Sequence, residues 1–231
     1  MRPFTALEKR NMEYLVNKNI KFTQVQITST GLRKSIMDAT APMRAYFKEN
    51  GVHDYELQPQ GPEYKAVVPT HILTGFKDIP TQASFYRPVT KDGDPRLWIY
   101  GLKETAEADD IHVIIAAKPA ELYVINLTKT DIEKFGETSV ANPIKDLVFS
   151  LSFEADAVSQ ELLTVLREYS HCWIDTDLTA DTAIGRQVES LLGIDMNDSP
   201  LPDYKGIELK SFRSRRPSIR KISSARCRTG T

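Results

Sequence analysis

The chain reads as an α+β protein, a β-rich N-terminal domain with helices followed by a smaller segment of different character. Three observations predict this. Short alternating or β-branched runs recur at 64–68, 83–86, 97–102, 111–116 and 122–127, with turn material between them. Stretches of helical spacing flank those runs on both sides. From Lys205 onward the charge changes sign, with nine Lys or Arg residues against one acid, Glu208.

The elements follow in order. Phe4, Leu7, Asn11, Tyr14 and Leu15 fall at helical spacing, which predicts an amphipathic helix over 4–19. Phe22, Val25 and Ile27 alternate with polar residues and predict a strand within 20–28. A helical stretch over 32–48 contains Pro42, which is expected to kink it or split it in two. The five β runs then predict a compact sheet or partly closed barrel with helices at one end. A further helix is expected over 155–169, where Val158, Leu162, Val165, Leu166 and Tyr169 form one stripe. The domains are expected at 1–150 and 151–231, with a soft boundary between 137 and 159.

Composition excludes several classes. With 231 residues, 41% hydrophobic and 26% charged, the chain matches a globular protein of one large or two modest domains. Cys172 and Cys227 lack metal-ligand spacing and cannot form a disulfide framework, so free thiols in a reducing, cytoplasmic setting are expected. No apolar run approaches the ~20 residues that span a bilayer, so no membrane partner is expected. His53, His71, His112 and His171 have no partner at metal spacing and read as surface or core histidines.

Chemistry concentrates between 182 and 221. Ile184, Val188, Leu191 and Leu192 share a helical face with Glu189 beside it, and Gly193, Pro200 and Pro202 end that helix. Then comes Pro202-Asp203-Tyr204-Lys205-Gly206-Ile207-Glu208-Leu209-Lys210. Read as a strand over 207–212, it sends Ile207 and Leu209 to one face and Glu208 and Lys210 to the other, ~6–7 Å apart at Cα. Asp203 can fold back beside Glu208, and two carboxylates suit Mg²⁺. A neighbouring lysine can orient a water and offset phosphate charge, so the set suits attack on a phosphodiester. Alone, Asp-x₄-Glu-x-Lys also describes an ordinary solvated strand edge.

The run 184–194 (IGRQVESLLGI), then Asn197, Pro202-Asp203 and Gly206-Ile207-Glu208-Leu209-Lys210 resemble the start of the MvaI/BcnI family, type II restriction endonucleases of the PD-(D/E)XK superfamily. The resemblance covers about 180–221. It implies Mg²⁺-dependent hydrolysis of phosphodiester bonds in double-stranded DNA at a short specific site. It further implies Asp203 and Glu208 as metal ligands, Lys210 as the catalytic lysine, and Glu189 as an acid bordering the metal site.

Arg213, Arg215, Arg216, Arg220 and Lys221 follow the motif directly and are expected to contact the DNA backbone, unless they form a solvated tail. In the N-terminal domain, Arg87, Lys91 and Arg96 around the turn 91–95 are candidate DNA contacts, or else ordinary surface charges of a hairpin. A recognition role for this domain rests on analogy with restriction enzymes that carry one. The alternative to a nuclease is a non-catalytic, sequence-specific DNA-binding or regulatory module.

A PD-(D/E)XK core needs further strands and a helix after the Glu-x-Lys strand, whereas 21 residues follow Lys210 and those from about 222 show no apolar periodicity. The expectation is an incomplete nuclease core, its tail frameshifted near Lys221. The corresponding prediction is little or no DNA cleavage by the 231-residue chain. Incubation of the purified chain with DNA and Mg²⁺ tests it, and efficient cutting contradicts it.

Overall fold

The computed structural model describes residues 2–117, 120–170, 183–194, 204–205, 207 and 209–210. The chain divides into two compact units, Met1–Ala155 and Asp156–Thr231, the division falling inside its longest helix.

The first unit is built on a seven-stranded sheet of mixed direction, which makes the chain α+β. Its strands are β1 (Thr23–Gln26), β2 (Met37–Asp38), β3 (Ala66–Thr74), β4 (Lys77–Tyr86), β5 (Arg96–Ile99), β6 (Ile111–Ala117) and β7 (Glu121–Asn126). Their order is β1-β6-β7-β3-β4-β5-β2, with β3 and β7 parallel and every other pair antiparallel. Both faces of the central strands are buried, so β6 reads Ile-His-Val-Ile-Ile, a near-continuous apolar run. Val113 and Ile115 enter one core and Ile114 the other.

One core gathers against α3 (Ala41–Glu49), which contributes Met43, Tyr46 and Phe47. Phe47 meets Phe85 edge to face at 5.1 Å, and both are fully buried. Pro42 does split the helical stretch expected over 32–48. It sits in the first turn of α3, where its missing N–H costs nothing. The preceding residues form the short helix α2 (Ser29–Lys34) and the two-residue β2, the first capped by Thr28 and ended by Ser35 at φ 55°.

The opposite core packs under α1 (Ala6–Asn17), α4 (Ile132–Glu137) and the start of α5 (Pro143–Tyr169). Thr5 and Glu8 form a capping box at the start of α1. Asn11, on the buried stripe, donates to the carbonyls of Leu127 and Thr130 and accepts from the N–H of Ile132. That one amide therefore ties α1 to the segment between β7 and α4.

Two expectations require correction. The helix expected over 155–169 begins twelve residues earlier, at Pro143, with the side chain of Asn142 accepting from the N–H of Lys145. The run 147–153 is apolar nearly all round, because Leu147, Val148 and Leu151 pack on the sheet while Phe149 and Phe153 stack on each other in solvent. The strands read at 64–68 and 83–86 are the ends of a long hairpin, β3–β4, whose Pro69 and Pro80 disguise it in sequence. Both prolines are tolerated. Pro69 precedes the β3 residues paired with β7, and Pro80 lies on β4 outside the stretch paired with β5. Gly75 at φ 63° starts the two-residue turn, and a Cβ there meets the ring of Phe135 at 2.8 Å.

Buried charge is paired in this unit. Glu8 is fully buried and accepts from Arg2 Nη2 at 2.5 Å, Thr128 Oγ1 at 2.6 Å and its own cap backbone. The Arg2 bond leads in holding this carboxyl down to about 2, against burial. His71 bridges Asp78 at 2.7 Å and Glu121 at 3.0 Å. Burial opposes its charge, but the two carboxylates prevail and raise its pKa. His112 is buried with neither ring nitrogen bonded, and desolvation lowers it to about 4, so it is neutral near pH 7.

Phe47→Ala is expected to cost ~3–5 kcal/mol in denaturant unfolding, since it empties the centre of the α3 core. Because the Glu8 carboxyl is depressed on folding, its stabilisation is full above its ordinary value of 4.5 and is lost as pH falls toward 2. Unfolding titrations are expected to lose on the order of 2–3 kcal/mol over that window, and Glu8→Gln to remove this part of the pH dependence.

Candidate functional site

In the second unit the best-defined local structure is α6 (Ala183–Leu191) and its end. Ile194 N–H donates to the Glu189 carbonyl at 2.9 Å and Gly193 N–H to that of Ser190 at 3.1 Å. With Gly193 at φ 68°, this is a Schellman-type stop, the role expected of that glycine. Glu189 thus sits in the last turn with its side chain half-buried, while Val188, Leu191 and Leu192 are likewise half-buried.

The described part of the acidic motif is a tight turn. Tyr204 N–H donates to the Ile207 carbonyl at 3.0 Å, and Ile207 N–H returns to the Tyr204 carbonyl at 2.7 Å. Lys205 takes a left-handed φ of 43° to close it. Of the strand expected over 207–212, only Ile207, Leu209 and Lys210 are described: Ile207 forms an isolated bridge with Tyr204, and Leu209 and Lys210 carry no regular structure, while the remaining positions lie outside the described residues.

Glu161 on α5 holds this turn. Its carboxylate accepts from Tyr204 Oη at 2.9 Å and from Lys205 Nζ at 2.7 Å on each oxygen. Tyr204 is buried, while Lys205 lies over its ring at 5.6 Å from the centroid. Chiefly the Lys205 bond, then that of Tyr204, lowers the Glu161 carboxyl, and the same pairing raises Lys205. The sequence gives no sign of Glu161: it lies 43 positions from Tyr204, on a helix face that resembles any solvated one.

Of the residues predicted for the metal site, Lys210 is exposed and Glu189 half-buried, while Asp203 and Glu208 lie outside the described residues. The same holds for Arg213, Arg215, Arg216, Arg220 and Lys221. Among the described residues, no group of three or more His, Cys, Asp or Glu side chains gathers to hold a metal. No helix among them is long and apolar enough to cross a membrane.

The three N-terminal candidates occupy different environments. Arg87 is turned inward: its guanidinium donates to the carbonyls of Gly93 at 2.9 Å, Gln58 at 3.2 Å and Tyr55 at 3.5 Å. These bonds, with Gln60 donating to the Asp92 carbonyl, hold a turn in which Lys91, Asp92 and Gly93 are all left-handed. Lys91 projects into solvent from this turn. Arg96 opens β5 half-buried, its Nε without a hydrogen-bond partner and its carbonyl accepting from Tyr55 Oη at 2.8 Å.

No curated protein and no solved structure matches the chain. One family model does match, over residues 163–224, a stretch that takes in α6, the Tyr204–Ile207 turn and Lys210 and leaves out the N-terminal sheet. By that match the C-terminal segment is similar to the MvaI/BcnI restriction endonuclease family.

Proposed function

We propose that the chain is of the type II restriction endonuclease kind, with Asp203 and Glu208 as metal ligands and Lys210 as the catalytic lysine. The observation that carries this reading is the family match over 163–224, because the Asp-x₄-Glu-x-Lys pattern falls within it. The substrate is double-stranded DNA, and the reaction is hydrolysis of a phosphodiester: a water oxygen bonds to phosphorus while the bond to the leaving oxygen breaks. The PD-(D/E)XK core belongs to the same reading.

The donor set suits Mg²⁺, since two carboxylates leave positions for water and for a phosphate oxygen. Asp203 and Glu208 would hold the ion, and when bound it supplies positive charge against the phosphate oxygens. Lys210 orients the attacking water and offsets the charge that develops at phosphorus. Glu189 borders the site as a third acid. Arg213, Arg215, Arg216, Arg220 and Lys221 contact the DNA backbone and fix register without reading bases. In the N-terminal domain Lys91 is the candidate backbone contact that remains open to solvent, Arg87 being occupied in holding its turn and Arg96 half-buried at the start of β5.

Calorimetric titration with Mg²⁺ is expected to show one binding site in the wild-type chain and none in Asp203→Asn. Equal binding by the two proteins overturns the assignment. Alanine at Arg213, Arg215 or Arg216 is expected to flatten the slope of log K against log salt for duplex DNA by about one each, across all sequences. An unchanged slope places those residues away from the phosphates. Lys91→Ala tests the N-terminal contact by the same slope.

A further inference from the structure

The Tyr204–Ile207 turn joins the two proposed metal ligands in sequence. Asp203 immediately precedes Tyr204, and Glu208 immediately follows Ile207. Any restraint on the turn is therefore one bond away from each carboxylate-bearing residue. The paired Tyr204 and Ile207 backbone bonds set the shape of the turn, and Lys205 at φ 43° carries its least comfortable conformation. Those bonds are internal and do not fix where the turn stands relative to the helix beside it. The contacts to Glu161 supply that restraint.

We infer that Glu161 is a positioning residue for the metal site, holding the turn through Tyr204 and Lys205 so that the flanking carboxylates are presented together. This rests on the proposed assignment of Asp203 and Glu208. Three features set the contact apart from an ordinary surface ion pair. Lys205 spans both carboxylate oxygens at 2.7 Å, which restricts rotation of the carboxylate. The second donor is the hydroxyl of Tyr204, a buried residue. The acceptor stands inside a 27-residue helix, a rigid base compared with a loop. Glu161 also lies two positions before the matched stretch 163–224. Its role is to reduce the number of arrangements that the ligands sample before the cation arrives, as residues supporting first ligands do at other metal sites.

Lys205 has a consequence of its own. An unpaired ammonium within five residues of both ligands would compete with a divalent cation for their carboxylates. Held by Glu161, that ammonium already has a carboxylate partner of its own.

Mn²⁺ serves as the probe, its binding read by the loss of the free-ion electron paramagnetic resonance signal in the full 231-residue chain. Wild type is expected to bind, Asp203→Asn not to bind, and Glu161→Ala to bind 10–100-fold more weakly. Because both charged partners are largely exposed, melting of Glu161→Ala is expected to stay within about 2 °C of wild type. The exchanged pair, Glu161→Lys with Lys205→Glu, restores the ion pair and is expected to recover affinity to within about threefold of wild type. If wild type takes up no Mn²⁺, the metal-site assignment itself fails. If wild type binds, Asp203→Asn does not, and Glu161→Ala matches wild type, the positioning role alone is overturned.

Discussion

Burial of both faces of one short stretch of sheet governs the first unit. Strand β6, most of β7 and the stretch 70–73 of β3 lie between α3 on one side and α1, α4 and the start of α5 on the other, so little of them meets solvent. Polar groups within this layer must be satisfied or neutral. Asn126 illustrates the first condition, donating to the Asp110 carboxylate and accepting from the N–H groups of Thr128 and Lys129. Neutral His112 illustrates the second. Glu8 meets the constraint in the costliest way: a buried carboxylate held by Arg2, Thr128 and its own helix cap. Loss of one partner there leaves a buried charge uncompensated, which is more damaging than loss of a surface ion pair.

The second unit works under a different rule. Its described turn is small, and its fixed points are backbone pairs, one buried tyrosine and a carboxylate brought from a helix. Such a structure stores little energy per residue, but in the proposed metal site its position would set where the neighbouring acids stand. A metal site assembled this way gains from preorganisation more than from bulk stability, because each ligand that is already placed removes an ordering cost from cation binding. The two units therefore divide the physical work, the first supplying a rigid folded body and the second a local geometry.

Much of this was legible in the sequence. Pattern alone places the first helix, the strands β6 and β7, the split at Pro42 and the stop at Gly193, because each rests on a local rule of spacing, capping or backbone conformation. What was hidden depended on tertiary context. The β3–β4 hairpin was obscured by Pro69 and Pro80, which are tolerated because β7 and β5, the strands flanking the hairpin, do not reach them. The early start of α5 was obscured by an apolar run that serves the core on one side and faces solvent on the other. Arg87 looked like a surface cation, since nothing local shows that the carbonyls of Tyr55 and Gln58, about thirty residues away, converge on it with that of Gly93. Glu161 was invisible for the same reason: its partners lie more than forty residues away.

The chemistry itself was read from a short motif and its surroundings, and the family match over 163–224 supports that reading where composition could not. A net charge of −1 conceals a strongly basic C-terminal end next to two acids, an arrangement suited to DNA only when a cation bridges acids and phosphate. That bridge is the central claim, and divalent-dependent DNA binding tests it most directly. With Ca²⁺, which occupies such sites, affinity for a short duplex at fixed ionic strength is predicted to rise at least tenfold over the metal-free protein, and Asp203→Asn to abolish that gain. Equal affinity with and without Ca²⁺, unaffected by the substitution, contradicts the account.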